Sequence, residues 1–80
     1  MAFKASEIQS SPKSTLIHDL SDREREVLRL IAMGRSTKML ADELNISVGT
    51  AETHRHSIMK KLKVSNVAGM VRIAVKAGLV

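Results

Sequence analysis

Apolar residues recur at helical spacing in four stretches of this chain, and nowhere do they alternate as a half-buried strand requires. In the first stretch Val27, Leu28, Leu30 and Ile31 make one stripe behind Ser21-Asp22-Arg23-Glu24. That tetrad is a capping box, in which the serine hydroxyl takes the amide three residues on and the glutamate reaches back to the serine amide. Gly34 is placed to end the helix, because glycine takes positive φ without a Cβ clash. The pattern predicts helices over about 22–33, 37–44, 48–62 and 66–76, with Ser21, Ser36, Ser47 and Ser65 as their N-caps.

The second and third stretches carry the organising feature. Leu40, Ala41 and Leu44 share one side of the second helix. Asn45-Ile46-Ser47 then interrupts the pattern with a residue that tolerates left-handed backbone, an apolar residue and an N-cap. Two helices joined this tightly read as a helix-turn-helix, whose second helix normally enters the major groove of DNA. At 100° per residue, Ala51, Ile58 and Leu62 fall within about 40° of one another and face the core, with His54 on their shoulder. Gly49, Thr53, His56 and Lys60 cluster opposite, flanked by Glu52 and Ser57. That face is polar and short near its start and basic towards its end, where Lys60, Lys61 and Lys63 follow closely.

In the fourth stretch Val67, Met70, Val71 and Ala74 supply a core stripe, and Ala68, Ile73 and Val75 widen the apolar arc beyond one packing face. The surplus suits a self-complementary contact, with Val67, Val71, Ala74 and Val75 as its candidate residues. Ahead of the first helix, residues 1–18 are polar, broken by Ser10-Ser11-Pro12, and read as a flexible tail or interdomain linker before a domain over 19–80. Leu16 and Ile17 are expected to touch that domain.

Eighty residues with one phenylalanine, Phe3, and no Trp or Tyr permit one small domain packed by aliphatic side chains. The absence of cysteine excludes a disulfide framework, thiolate chemistry and a cysteine zinc site. No apolar run reaches the roughly 18 residues of a membrane span, and the N-terminus lacks a secretory core, so the cytosol is the expected compartment. Residues 1–20 balance two basic against two acidic side chains, whereas the remaining sixty hold eleven against six. The whole net charge of +5 therefore belongs to the helical part, whose natural partner is a polyanion. Lys38 in the first turn of the second helix opposes the helix dipole and is better explained by an external anion.

Catalysis and metal binding find no support. His54 and His56 are two residues apart, so they point about 200° from each other on a helix and cannot grip one ion. Ser57 and His54 share a face but have no carboxylate to orient them and no oxyanion site. No cofactor is expected and the chain does not read as an enzyme.

From Leu20 to Val80 the chain resembles the LuxR-type (GerE-like) helix-turn-helix domain found at the C-terminus of NarL/FixJ response regulators, closest to the FixJ-like branch. The residues carrying the likeness are LSDREREVLRLIAMG, STKMLADELNIS, TAETHRHSIMKKL and the AVKAGL ending, in that order. The resemblance implies an all-α, four-helix fold and transcriptional regulation as the effector domain of a two-component response regulator. It also implies a third helix in the major groove and a fourth that pairs two copies. Carried onto this sequence, base-reading positions fall at Glu52, Thr53 and His56, and DNA-backbone positions at Lys38, Ser47, Thr50, Arg55, Lys60 and Lys61. The implied partners are double-stranded DNA and a second copy of the chain on that DNA, with RNA polymerase a further candidate. Ala51 stands where the family usually has Val, and Thr37 where Asn is common. Glu52 is the sharpest candidate, since a carboxylate facing phosphates is unfavourable unless it accepts a hydrogen bond such as that of cytosine N4; pairing with Arg55 or His56 along the helix is the competing role. Thr53 suits a thymine methyl and His56 a purine N7 or O6. A σ-factor region 4 module, which opens with a similar LxxREREVL block and acts with polymerase, is the alternative. A third possibility is a protein-interaction module working through the fourth helix alone.

Overall fold

Four helices account for the fold of the computed structural model, which describes residues 17–80: α1 (Asp22–Ala32), α2 (Thr37–Leu44), α3 (Val48–Leu62) and α4 (Val67–Lys76). No strand occurs among the described residues, as the periodicity predicts. None of the described helices is long and apolar enough to cross a membrane. The tail expected over 1–18 falls outside the described residues up to position 16, as do Leu16 and Phe3. Ile17 and Leu20 are both buried, Ile17 against the domain it is expected to touch.

Each helix starts the same way, with a side-chain oxygen accepting the amide three residues on. Ser21, Ser36 and Ser47 take the amides of Glu24, Met39 and Thr50 as expected. The fourth cap differs: Asn66 does this for Gly69, at 2.8 Å, and α4 begins at Val67 rather than after Ser65. Either residue is a strong N-cap former. Val64 packs on the core, and its Cβ lies only 2.9 Å from where a Cβ on Gly69 would stand. The turn between α3 and α4 therefore approaches α4 more closely than a side chain at position 69 would allow.

The helix ends also repeat one device. After α1, α2, α3 and α4 come Gly34 (φ 95), Asn45 (φ 61), Lys63 (φ 59) and Gly78 (φ 78), all with positive φ. After each of these, the next amide donates back to a carbonyl five residues earlier: Arg35 to Leu30, Ile46 to Ala41, Val64 to Met59 and Leu79 to Ala74. This Schellman-type closure satisfies carbonyls that a helix end leaves open. α1 closes one residue earlier than expected, with Met33 as its cap.

α1 is the hub and packs against the other three helices, while α2 packs on α3 to form the helix-turn-helix. The core joins Val27, Leu28, Leu30 and Ile31 of α1 to Leu40 and Ala41, to Ala51, Ile58 and Leu62, and to Met70, Ile73 and Ala74. For α4 this corrects the expected stripe: Ile73 is inside, whereas Val67 is exposed.

Two substitutions test the helix ends. Gly34→Val should lower unfolding free energy by about 1 kcal/mol or more, through strain at positive φ. Lys63→Gly should raise it by a few tenths to about 1 kcal/mol by relieving the same strain. Urea denaturation of the two variants checks both signs, and a destabilised Lys63→Gly would show that this lysine's side chain matters more than its backbone.

Candidate nucleic-acid interface

The outward face of α3 follows from which of its residues are buried. Ala51, Ile58 and Leu62 are in the core and His54 is half-buried beside them, so helical geometry turns Glu52, Thr53 and His56 outward, where all three are exposed. Thr53 Oγ1 donates to the Gly49 carbonyl at 3.1 Å, which engages its hydroxyl within the helix and leaves its methyl as the group to offer a partner. Glu52 lies 3.5 Å from Arg55 Nη1, a long contact between a carboxylate that is 56% exposed and a guanidinium that is 22% exposed. The competing intrahelical role is thus present, but weak in geometry.

Of the side chains expected at the DNA backbone, the structure leaves some outward and ties others inward. Lys38 and Lys60 are exposed and form no salt bridge among the described residues. The Ser47 hydroxyl accepts the Thr50 amide at 3.0 Å and donates to Thr50 Oγ1 at 2.9 Å, so it serves as the cap while the Thr50 hydroxyl keeps its own proton for another acceptor. Arg55 Nη1 donates to Thr37 Oγ1 of α2 at 3.0 Å. Lys61 Nζ donates to Glu24 Oε1 of α1 at 2.8 Å.

Glu24 is the buried charge of the described core, 7% exposed. Its Oε1 accepts the Ser21 amide at 2.9 Å, completing the capping box, and its Oε2 accepts the Ser57 hydroxyl at 2.7 Å. Burial pushes the carboxyl up, but the hydrogen bonds from Lys61, the Ser21 amide and Ser57, with the lysine's charge, outweigh it and hold the group at about 2, below the usual 4.5. The sequence shows the capping box; the contacts with Ser57 and Lys61 span 33 and 37 residues and need the fold. Their one sequence signal is that Ser57 and Lys61 are four apart, on the same flank of α3.

On α4, Val67, Ala68 and Val75 are exposed and Val71 is half-buried, which makes one apolar stripe along the outer side. Ala74 does not belong to it. That residue is fully buried against the rest of the core, about 100° from Val75 on the helix, and Ala68 fills out the outer stripe instead.

Residues 18–74 match the family described as bacterial regulatory proteins, luxR family. The chain belongs to this family. It is 48% identical over 61 residues to the transcriptional regulatory protein MctR of Rhizobium johnstonii, covering 76% of this chain and 28% of MctR. It is 46% identical over 72 residues to the response regulator protein TmoT of Ectopseudomonas mendocina, covering 90% of this chain and 30% of TmoT. With the transcriptional regulatory protein FixJ of Rhizobium meliloti it shares 39% over 62 residues, 78% of this chain and 30% of FixJ. The chain thus spans less than a third of these relatives' length. Its luxR-type helix-turn-helix is a DNA-binding domain of the kind response regulators carry, and transcriptional regulation is what membership implies. The family match favours this assignment over a σ-factor region 4 module.

Both departures from the luxR-family pattern have a structural counterpart. Ala51 is fully buried under α3. Thr37, in place of the common Asn, is the acceptor for Arg55.

The Glu24 network predicts acid sensitivity. Its folded-state value of about 2 lies below the usual 4.5, so the unfolded chain binds more protons between the two. The stabilisation is therefore complete above about 4.5 and is lost as pH falls towards about 2. Urea midpoints of the wild type should fall through that window, and those of Glu24→Gln should start lower at neutral pH and fall less. Parallel curves for the two proteins would remove the carboxylate from the account.

Proposed function

We propose that this domain reads duplex DNA by sequence, with α3 in the major groove, as the effector domain of a two-component response regulator. The observation that carries the reading is the outer face of α3, where Glu52, Thr53 and His56 are exposed together with no core role. Each side chain has a base-edge counterpart: Glu52 an acceptor for cytosine N4, Thr53 a methyl for thymine, and His56 a donor to purine N7 or O6. Lys38, Thr50 and Lys60 flank that face and supply phosphate contacts, which hold the helix in register without reading sequence.

The outer stripe of α4 completes the proposal. Val67, Ala68, Val71 and Val75 pair with the same stripe of a second copy, which places two reading helices on an inverted repeat. RNA polymerase is a candidate further partner of the bound dimer. On this reading the domain carries out no catalysis.

Selection of duplexes from a random pool by the purified domain tests this directly. An enriched inverted repeat whose affinity falls steeply with salt is expected; equal, shallow binding to selected and scrambled duplexes would sink it. Within the selected site, Glu52→Ala should relax discrimination at one base pair per half-site by about 1–3 kcal/mol while leaving nonspecific affinity nearly unchanged. Val75→Glu should keep the fold, since Val75 is 56% exposed, yet lose the preference for two half-sites over one. Retention of that preference would exclude the α4 stripe as the contact.

A further inference from the structure

We infer that Lys61 is a positioning residue rather than a phosphate contact: with Glu24 and Ser57 it fixes the rotation at which α3 presents Glu52, Thr53 and His56. The inference rests on the reading of α3 as the DNA-reading helix.

The core beneath α3 cannot fix that rotation sharply by itself. Its buried stripe is Ala51, Ile58 and Leu62, aliphatic side chains of which one is a methyl group. Aliphatic cores of roughly correct volume lose uniqueness before they lose stability. Two directional ties straddle this stripe. On one flank Ser57 and Lys61 both donate to the Glu24 carboxylate, at 2.7 and 2.8 Å. On the other, Arg55 donates to Thr37 at the first turn of α2, at 3.0 Å. The flanks lie about 140° apart around the helix, so a roll that relaxes one tie strains the other. Glu24 is itself immobilised, since the capping box holds its carboxylate against the start of α1.

Lys61 cannot serve DNA and Glu24 equally. Its side chain is 41% exposed, yet its ammonium lies on a carboxylate that is only 9% exposed, and withdrawing it would leave that buried charge without its cation. A lysine already neutralised within the protein also displaces few counterions from DNA. Lys60, the next residue back, is exposed and has no acidic partner among the described residues. Adjacent lysines thus divide the work, one free to meet phosphate and one paired with Glu24 to hold the angle.

The test uses random-sequence duplex DNA for charge counting, and the best duplex selected by the wild type for reading. Lys60→Met should lower the slope of log affinity against log salt on random duplex by about 0.9 and weaken both duplexes alike. Lys61→Met should leave that slope unchanged and lower the selected-to-random affinity ratio by about tenfold or more, and Lys61→Arg should restore much of the ratio. Ser57→Ala removes no charge and leaves the rest of the clamp, so it should lower the ratio in the same direction and answers the question if Lys61→Met fails to fold. A Lys61→Met slope reduced as much as that of Lys60→Met, with the ratio intact, overturns the assignment, as does a Ser57→Ala ratio equal to the wild type's. A wild-type affinity for duplex that ignores salt is a different outcome, which overturns the DNA reading itself.

Discussion

The carboxylate of Glu24 is the interaction on which this small domain depends most. A buried charge is tolerated only when its lone pairs are filled and its field is balanced, and here the groups that do so come from different parts of the chain. The Ser21 amide belongs to the start of α1, while Ser57 and Lys61 belong to the second half of α3. One side chain therefore caps the hub helix and fastens α3 to it. A hydrophobic contact in the same place would add comparable stability but no direction.

The four helices have 8 to 15 residues, lengths at which an isolated helix is marginal in water. Their ends carry much of the order. Every start has an oxygen three residues from the amide it accepts, and every end turns through positive φ before bonding back five residues. Short connections follow, and they bring α2 and α3 together in the helix-turn-helix with only Asn45, Ile46 and Ser47 between them. The apolar stripes then meet on α1, which touches all three other helices.

Much of this was legible before the fold was seen, because it is local. Ser21 with Glu24, Ser36, Asn45, Ser47 and Gly34 each announce a backbone conformation that depends on near neighbours alone. What the sequence does not carry is what depends on distance or on competition. Ser65 and Asn66 are equivalent caps on propensity, and propensity alone does not choose Asn66. Lys63 gives no sign of a left-handed residue; the position is imposed by the tight path from α3 to α4. Arg72 and Lys76 mark a polar side of α4, but the apolar arc opposite is so wide that the wheel alone does not sort Ile73 inside from Val67 outside. The outward face of α3 was legible because its opposite side is clearly apolar, but the inward tie of Lys61 was not, since a lysine beside Lys60 and Lys63 carries no mark of its partner.

The same arrangement bears on how a domain this size can hold DNA. If Arg55 and Lys61 are committed within the fold, the reading helix and its neighbour offer few outward cations, and each phosphate neutralised adds only a modest, salt-sensitive increment. The α4 stripe is limited as well. A ten-residue helix is about 15 Å long, and four small side chains along it bury far less than the roughly 1,200 Å² of a stable standard interface. Neither surface suffices alone on this reading, but they are complementary. On the proposed function, DNA that binds two copies would raise their effective concentration at α4, and pairing at α4 would raise the effective concentration of the second α3 at its half-site. Weakness in each contact would then make assembly depend on a duplex with both half-sites, which a tight free dimer or a tight monomer would not require.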